Sequence, residues 1–309
     1  MTHYLVRRII AMAIALFFIV TLTFFGMKII PGGPFQSEKE MPPSIKKNIE
    51  EKYKLNAPLS KQYLDYLGRV IRWEFGPSFK FPGRSADQMI EEGFPVSAKL
   101  GALTVGFALI IGLSAGIISA LRQYHWQDYS AMVLATIGFS VPSFVMAGGL
   151  QYVFAYKLNW ILPAMWGSPQ QAILPTLALA GLPTAMIARL MRSSMLEVLQ
   201  QDYIRTAKSK GLGERVIIYR HALRNAIMPV ITYLGPLIAS IFTGSFVVEY
   251  IFAVPGLGRH FVTSIMNRDY TVIMGITVFY SLFLMIMNLM VDLAYSAIDP
   301  RVKLTGGKE

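Results

Sequence analysis

Six long apolar segments alternate with polar stretches along the chain, and this pattern dominates the sequence. Each apolar segment has about 20 predominantly apolar residues, the length that a helix needs to cross the hydrocarbon core of a membrane. The pattern therefore predicts an all-α polytopic membrane protein with six transmembrane helices. These helices are expected near residues 9–30, 98–121, 131–155, 172–191, 227–248 and 273–296.

Lysine and arginine residues near the ends of the apolar segments predict the orientation of the chain. If the N-terminus is cytoplasmic, fourteen of these cations lie on the cytoplasmic side, including Arg7 and Arg8 before the first helix. The two short outer loops then hold only Lys157, Arg259 and Arg268. Because short cytoplasmic loops carry an excess of Lys and Arg, both termini are predicted to be cytoplasmic.

The apolar segments divide the chain into four predicted parts. The long polar stretch after the first helix is predicted to be a small helical insertion outside the cell membrane, since a stretch of that length is translocated largely regardless of its charge. The parts are residues 1–30, with the N-terminus and first helix, 31–97, the extracytoplasmic insertion, 98–300, a five-helix membrane core, and 301–309, a cytoplasmic tail.

The predicted insertion contains two helical patterns. Pro42 and Pro43 open a charged helix, and Ser60 is predicted to cap a second helix. The second pattern places apolar side chains on one face, at Tyr63, Leu64, Leu67, Val70 and Ile71. An insertion of this size cannot bury a core of its own, so it is expected to lean on the membrane helices.

A strongly basic segment, residues 202–225, separates the fourth and fifth apolar segments. Asp202 is predicted to cap its first helix, Lys208 lies near the negative helix end, and Gly211 suits a left-handed stop. A second helical pattern follows the glycine. Helix, glycine and helix together predict a docking element for a partner outside the membrane, and the small face of Ala207 is expected to sit in that partner's groove. The alternative is that these cations only anchor the neighbouring membrane helix.

Composition narrows the functional classes. The chain is 54% hydrophobic and only 15% charged, whereas an average soluble protein is about 25% charged. The net charge of +11 does not indicate nucleic-acid binding, because the cations are not gathered on a soluble domain with interleaved aromatic residues. There is no cysteine, no GxxxxGK[ST] motif and no histidine pair with metal-ligand spacing. The sequence therefore predicts no catalytic residue and no metal site.

Ionisable and proline residues within the apolar segments are the remaining candidates. Glu249, near the outer end of the fifth segment, and Arg189, near the inner end of the fourth, are candidates for a solute pathway or gate, because charges at membrane depth are costly. Pro229 and Pro236 in the fifth segment join them, although helix packing alone also explains a single proline. Asp292 is predicted to have a structural role by pairing with Arg301 or the basic segment, and Asp299 is a further candidate for this ion-pair cluster.

Four motifs in the C-terminal half carry a family resemblance. They are RTAKSKG at 205–211, RHALRNAIMPV at 220–230, GSFVVEYIFAVPGLGRHFVTSIMNRDYTVIMG at 244–275 and DLAYSAIDPRVK at 292–303. With them the chain resembles the permease subunits of ATP-binding-cassette (ABC) importers, and among those the oligopeptide/dipeptide family. The opening YLVRRII and the IPGGP at 30–34 resemble the first, B-type, of the two permease subunits.

The resemblance implies a transport subunit rather than an enzyme, located with both termini inside in the bacterial cytoplasmic membrane and surrounded by membrane lipid. Its implied partners are a homologous second permease, two cytoplasmic ATP-binding subunits and an extracytoplasmic binding protein that delivers a peptide substrate. ATP and magnesium would be bound by the ATPase partners and no cofactor by this chain. The residues implied in ATPase coupling are Asp202, Arg205, Ala207, Lys208, Gly211 and Arg220.

One departure separates the chain from the general importer pattern. Arg205, Thr206 and Ala207 stand where the general loop has Glu-Ala-Ala, so Ala207 and Gly211 transfer from that pattern and its glutamate does not. Importers of nickel or glutathione share these motifs, so nickel or glutathione is the alternative substrate. A polytopic membrane enzyme is the alternative from a different functional class.

Overall fold

The computed structural model describes residues 2–31 and 56–298, and every structural statement below refers to these two ranges. Three predicted features lie outside these ranges. They are the helix after Pro42 and Pro43, the ion-pair candidates Asp299 and Arg301, and the tail. The described chain is all-α without named strands. Its helices are α1 (Thr2–Ile29), α2 (Leu59–Ile71), α3 (Ala86–Leu121), α4 (Trp126–Ser140), α5 (Ser143–Lys157), α6 (Ile173–Leu199), α7 (Asp202–Ser209), α8 (Glu214–Ala226), α9 (Met228–Gly244), α10 (Phe246–Ile251), α11 (Leu257–Met266) and α12 (Tyr270–Ile298).

Four of the predicted membrane helices are single helices long and apolar enough to cross a membrane. They comprise α1, α3, α6 with the short 3₁₀ turn before it, and α12. The other two predicted helices fall within bent pairs, the third in α4 with α5 and the fifth in α9, which is paired with α8. The described chain has up to six spans if each bent pair is counted as one.

The third predicted membrane helix is not continuous, because α4 and α5 meet at a bend of 107°. Pro142 lies at the bend and immediately precedes α5. Val141 before it is extended, with φ −89° and ψ 118°, as expected for a residue whose α conformation is disfavoured by a following proline. The third predicted membrane helix, residues 131–155, is therefore broken at Pro142.

Helix α3 begins at Ala86, twelve residues before the predicted start of the second membrane helix. Ser85 and Gln88 form a reciprocal capping box, in which the Gln88 backbone N–H donates to Ser85 Oγ (3.2 Å) and the Ser85 N–H donates to Gln88 Oε1 (3.1 Å). The last part of the predicted insertion is therefore continuous with a membrane helix.

Helix α2 packs differently from the prediction. It begins at Leu59 after Pro58, so Ser60 lies inside the first turn and is not the cap. Tyr66 is buried and stacks on Phe24 of α1, and Tyr63 exchanges a 2.6 Å hydrogen bond with Thr21. By contrast, two residues of the predicted apolar face are exposed, namely Leu64 and Ile71. The aromatic side chains, rather than the aliphatic ones, hold α2 against α1.

The described residues fall into two compact units. The first contains the described parts of Met1–Val96 and Pro255–Glu309, and the second is Ser97–Val254; α3 passes from one to the other. In the first unit, α1 packs along α12 and Asp292 receives Arg8 Nη2 at 2.6 Å and the Tyr4 hydroxyl at 3.1 Å. Among the described residues the ion-pair partner of Asp292 is therefore Arg8, which approaches because the first and last helices lie side by side, while the predicted partner Arg301 lies outside the described residues.

The second unit has one apolar core shared by α3, α6, α7, α8 and α9. Close contact between α3 and α6 depends on two glycines one helical turn apart, Gly112 and Gly116. A Cβ atom at Gly116 would lie 2.6 Å from the Ala188 carbonyl oxygen and 2.6 Å from Met191 Cβ. The buried residues of the core are Ala108, Ala120, Ile187, Met191, Met195, Ile204, Ala207, Ile217, Ala222, Ala226, Val230, Leu237 and Ile241.

Candidate functional site

Helix α7 begins one residue earlier than a cap at Asp202 would require. Gln201 is the residue that flanks the helix, and Asp202 is its first helical residue. The Asp202 side chain is 96% exposed and lies 3.6 Å from Arg205 Nη1. The prediction of Asp202 as the cap is therefore wrong, although a carboxylate in the first turn still complements the positive end of the helix.

The C-terminal end of α7 has the predicted left-handed glycine. Gly211 has φ +72°, its N–H donates to the Lys208 carbonyl at 3.0 Å, and the Leu212 N–H donates to the Ala207 carbonyl at 3.3 Å. These two bonds form the Schellman motif that ends many helices at a glycine. The prediction that Gly211 ends the helix is confirmed.

The two faces of α7 have different surroundings. Ile204 and Ala207 are buried in the core of the second unit, with exposed fractions of 0% and 6%. Arg205, Lys208 and the backbone of Gly211 lie on the exposed side. The expectation that Ala207 enters a partner's groove is therefore corrected, because the small side chain seats α7 against its own chain and leaves the cationic face outward.

Helix α8 continues this exposed surface. Its buried residues include Ile217, Ala222 and Ala226, and a π-helical stretch widens its middle. Asn225 Nδ2 donates to the Tyr203 hydroxyl of α7 at 2.8 Å, which fixes the two helices to each other. The exposed cationic and aromatic residues of the joint surface are Tyr203, Arg205, Lys208, Lys210, Arg215, Tyr219, Arg220 and Arg224, and the acidic residues Asp202 and Glu214 are exposed beside them. Acidic protein surfaces or helix C-termini are the natural complement of such a surface.

The pathway candidates lie in different environments. Glu249 on α10 is fully buried and accepts a hydrogen bond from the Ser245 hydroxyl. Arg189 on α6 donates to Thr136 Oγ1 at 2.9 Å, with its guanidinium carbon 5.2 Å from the centre of the Phe139 ring. Glu249 thus has no open surface within this unit, whereas Arg189 lies beside exposed residues of α4.

The two candidate prolines lie on α9 and are both exposed. Pro229 occupies the first turn, where its missing N–H removes no helical hydrogen bond. It follows directly on the 48° bend between α8 and α9. Pro236 lies inside α9 and is the one that interrupts the backbone hydrogen-bond pattern.

Sequence reasoning missed a buried ion pair in the second unit. Asp128 is 3% exposed, and its carboxylate accepts Arg192 Nε at 2.7 Å and Nη2 at 2.8 Å. The Ser119 hydroxyl and the Tyr124 backbone N–H also donate to it, the latter at 3.0 Å. Arg192 was counted only as a cytoplasmic cation. The signal in the sequence was Asp128 itself, because an acidic residue just before an apolar segment needs a partner close to membrane depth.

Comparisons with protein families and with known proteins all match membrane components of transport systems. The family model of the binding-protein-dependent transport system inner membrane component matches residues 112–304, and the N-terminal model of the same transport systems matches residues 1–80. The dipeptide transport system permease protein DppB of Bacillus subtilis is 54% identical over 304 residues, which cover 98% of this chain and 99% of the relative. The oligopeptide transport system permease protein OppB of Escherichia coli K12 is 43% identical over 305 residues, covering 98% and 100%.

A solved structure extends the similarity to the fold. A chain of the inward-facing MetNI methionine ABC transporter superposes with a TM-score of 0.58 at 15% identity, covering 69% of this chain and 97% of that one. Identity at this level supports the fold alone.

Proposed function

This chain belongs to the family of binding-protein-dependent transport system inner membrane components, and on that premise we propose that it is one permease subunit of an ATP-driven peptide importer. The proposed substrate class, oligopeptides or dipeptides, rests on the full-length similarity to permeases named for those substrates. The chain forms half of the translocation pathway, as the first of two permease types, and performs no chemistry itself.

The proposed assembly contains a homologous second permease, two cytoplasmic ATP-binding subunits and an extracytoplasmic binding protein. ATP and magnesium are bound by the ATP-binding subunits. The observation that supports this assembly most directly is the exposed cationic surface of α7 and α8, because both helices are seated in the core and their outer faces are left for a partner. Movement of the ATPases on ATP binding would pass through these helices to the rest of the second unit.

Uptake measurements test the proposed substrate. A strain lacking this chain is expected to lose energy-dependent uptake of a radiolabelled di- or tripeptide, and the wild-type chain is expected to restore it. Glutathione and nickel serve as competitors. Unchanged peptide uptake in the strain that lacks this chain, together with loss of nickel or glutathione uptake, would reassign the substrate. A pull-down through a tag on this chain should recover the second permease and the ATP-binding subunits.

The proposed topology places both termini in the cytoplasm and the insertion of residues 31–97 outside. Because the chain has no cysteine, single cysteines can report accessibility at Ser60, Ser168 and Ser209, which are all exposed in the structure. In intact spheroplasts, an impermeant thiol reagent is expected to label the variants Ser60→Cys and Ser168→Cys. Ser209→Cys should react only after permeabilisation. Labelling of Ser209→Cys from outside would reverse the orientation.

A further inference from the structure

We infer that Asp128 and Arg192 are positioning residues for energy coupling, which join α3, α4 and α6 into one rigid block with the docking helices α7 and α8. This set of five helices is called the coupling block. The inference rests on the proposed function, because it concerns how movement of an ATPase reaches the membrane helices. It goes beyond that function in locating the transmission in an ion pair buried within this chain.

The Asp128 carboxylate connects three helices at one point. It lies in the first turn of α4, receives two parallel N–H bonds from Arg192 of α6 and receives the hydroxyl of Ser119 near the end of α3. Such a two-pronged guanidinium–carboxylate contact fixes both distance and orientation. The three helices therefore cannot slide or rotate past each other at this level without breaking it.

The same carboxylate also holds the turn between α3 and α4. It accepts the backbone N–H of Tyr124, which has the left-handed φ of +64°, uncommon for a residue with a side chain. Because the turn is stabilised by Asp128 itself, the start of α4 is attached to the end of α3 by backbone and side chain together.

Separation of this pair would be costly in its surroundings. The Asp128 side chain is 4% exposed and that of Arg192 is 25% exposed. Removal of one partner from a buried ion pair leaves an uncompensated charge, which is strongly unfavourable. A buried pair contributes little net stability compared with apolar packing, so its value here is geometric specificity.

Helix α6 connects the ion pair to the docking helices α7 and α8. Only Gln200 and Gln201 separate the end of α6 from the start of α7. Met195 of α6 lies in the same buried cluster as Ile204 of α7 and Ala120 of α3. A displacement imposed on α7 is thus expected to move α6 and, through the ion pair, α4 up to its bend at Pro142.

The test is the number of peptides imported per ATP hydrolysed. The complete transporter, purified through a tag on this chain, is reconstituted into lipid vesicles with its binding protein and a radiolabelled peptide. Asp128→Asn and Arg192→Gln are expected to retain the ATP-binding subunits and ATP hydrolysis, yet to lower the peptide-to-ATP ratio about fivefold or more. The peptide-to-ATP ratio of Arg192→Lys should lie between those of the other two variants and that of the wild type, because an ammonium group keeps the charge but lacks the planar fork of a guanidinium group.

Controls separate positioning from stability. Glu92→Gln removes a more exposed ion pair with Arg84 in the first unit and is expected to keep the wild-type ratio. If Asp128→Asn gives no folded transporter, Arg192→Lys and Ser119→Ala carry the test, since both leave the Asp128 carboxylate in place. An unchanged peptide-to-ATP ratio in folded variants overturns the inference. A parallel loss of thermal stability, hydrolysis and uptake at constant ratio also overturns it. Failure of the wild-type chain to retain ATP-binding subunits would instead contradict the proposed function.

Discussion

Ala207→Arg is expected to reduce peptide uptake about tenfold or more, because the new side chain has no room in the core of the second unit. Ala207 is 6% exposed and shares its buried cluster with Met195 and Ile217. A guanidinium placed there without a partner costs roughly 3 kcal/mol or more, which forces α7 out of its seat to reach water. The cationic surface of α7 and α8 would then lose its shape.

Gly211→Val tests the same surface through the backbone. The left-handed conformation at φ +72° costs a residue with a side chain about 1–2 kcal/mol, and a β-branched side chain fits it poorly. The structure leaves open space around Gly211, so strain rather than collision is the cause of the expected effect. We expect the end of α7 to fray and the recovery of ATP-binding subunits on pull-down to fall.

A matched glycine separates this strain from the mere addition of a side chain. Gly213 also has open space around it, but its φ of −63° and ψ of 148° suit any residue. Gly213→Val is therefore expected to keep ATPase recovery and uptake closer to wild type than Gly211→Val, its remaining cost being a poorer cap at the start of α8. Lys308→Ala in the tail is expected to change neither. Wild-type uptake and wild-type pull-down recovery in both Ala207→Arg and Gly211→Val would contradict the assignment of α7 as the coupling helix.

Local signals were readable from the sequence, and this explains which predictions succeeded. The stop at Gly211 depends on a glycine and the carbonyl groups within one turn before it, so a short stretch of sequence contains the whole cause. The break at Pro142 was equally local, since a proline constrains the residue before it, although the apolar pattern continues on both sides. The capping box of Ser85 and Gln88 was a further local signal, and it would have predicted the start of α3.

Long-range partners could not be read in this way. Arg8 and Asp292 are 284 positions apart, and Asp128 and Arg192 are 64 apart, so only the packing of their helices brings each pair together. The same limit applied to Ala207, whose small side chain was equally compatible with a partner's groove and with the chain's own core. The sequence predicted α7 as a docking element, but only the tertiary structure shows which face of it is exposed.

Gly116→Leu is expected to prevent α3 and α6 from packing, with loss of folded protein and of uptake. Even the first added carbon would lie 2.6 Å from the Ala188 carbonyl oxygen, a backbone atom that cannot move without the whole of α6. Overpacking of this kind costs roughly 3 kcal/mol or more, and the gain in helix propensity over glycine, about 1 kcal/mol, does not offset it.

Gly106→Leu is the matched control for this substitution, because Gly106 lies on the same helix and has open space at its Cβ position. It adds the same side chain and gains the same helix propensity without a collision, so its melting temperature is expected to equal or slightly exceed that of the wild type. The measurement is thermal unfolding of the detergent-purified chain, with the monodisperse fraction on size-exclusion chromatography as a second readout. Equal melting temperatures for the two variants would show that α3 and α6 are not held at backbone contact.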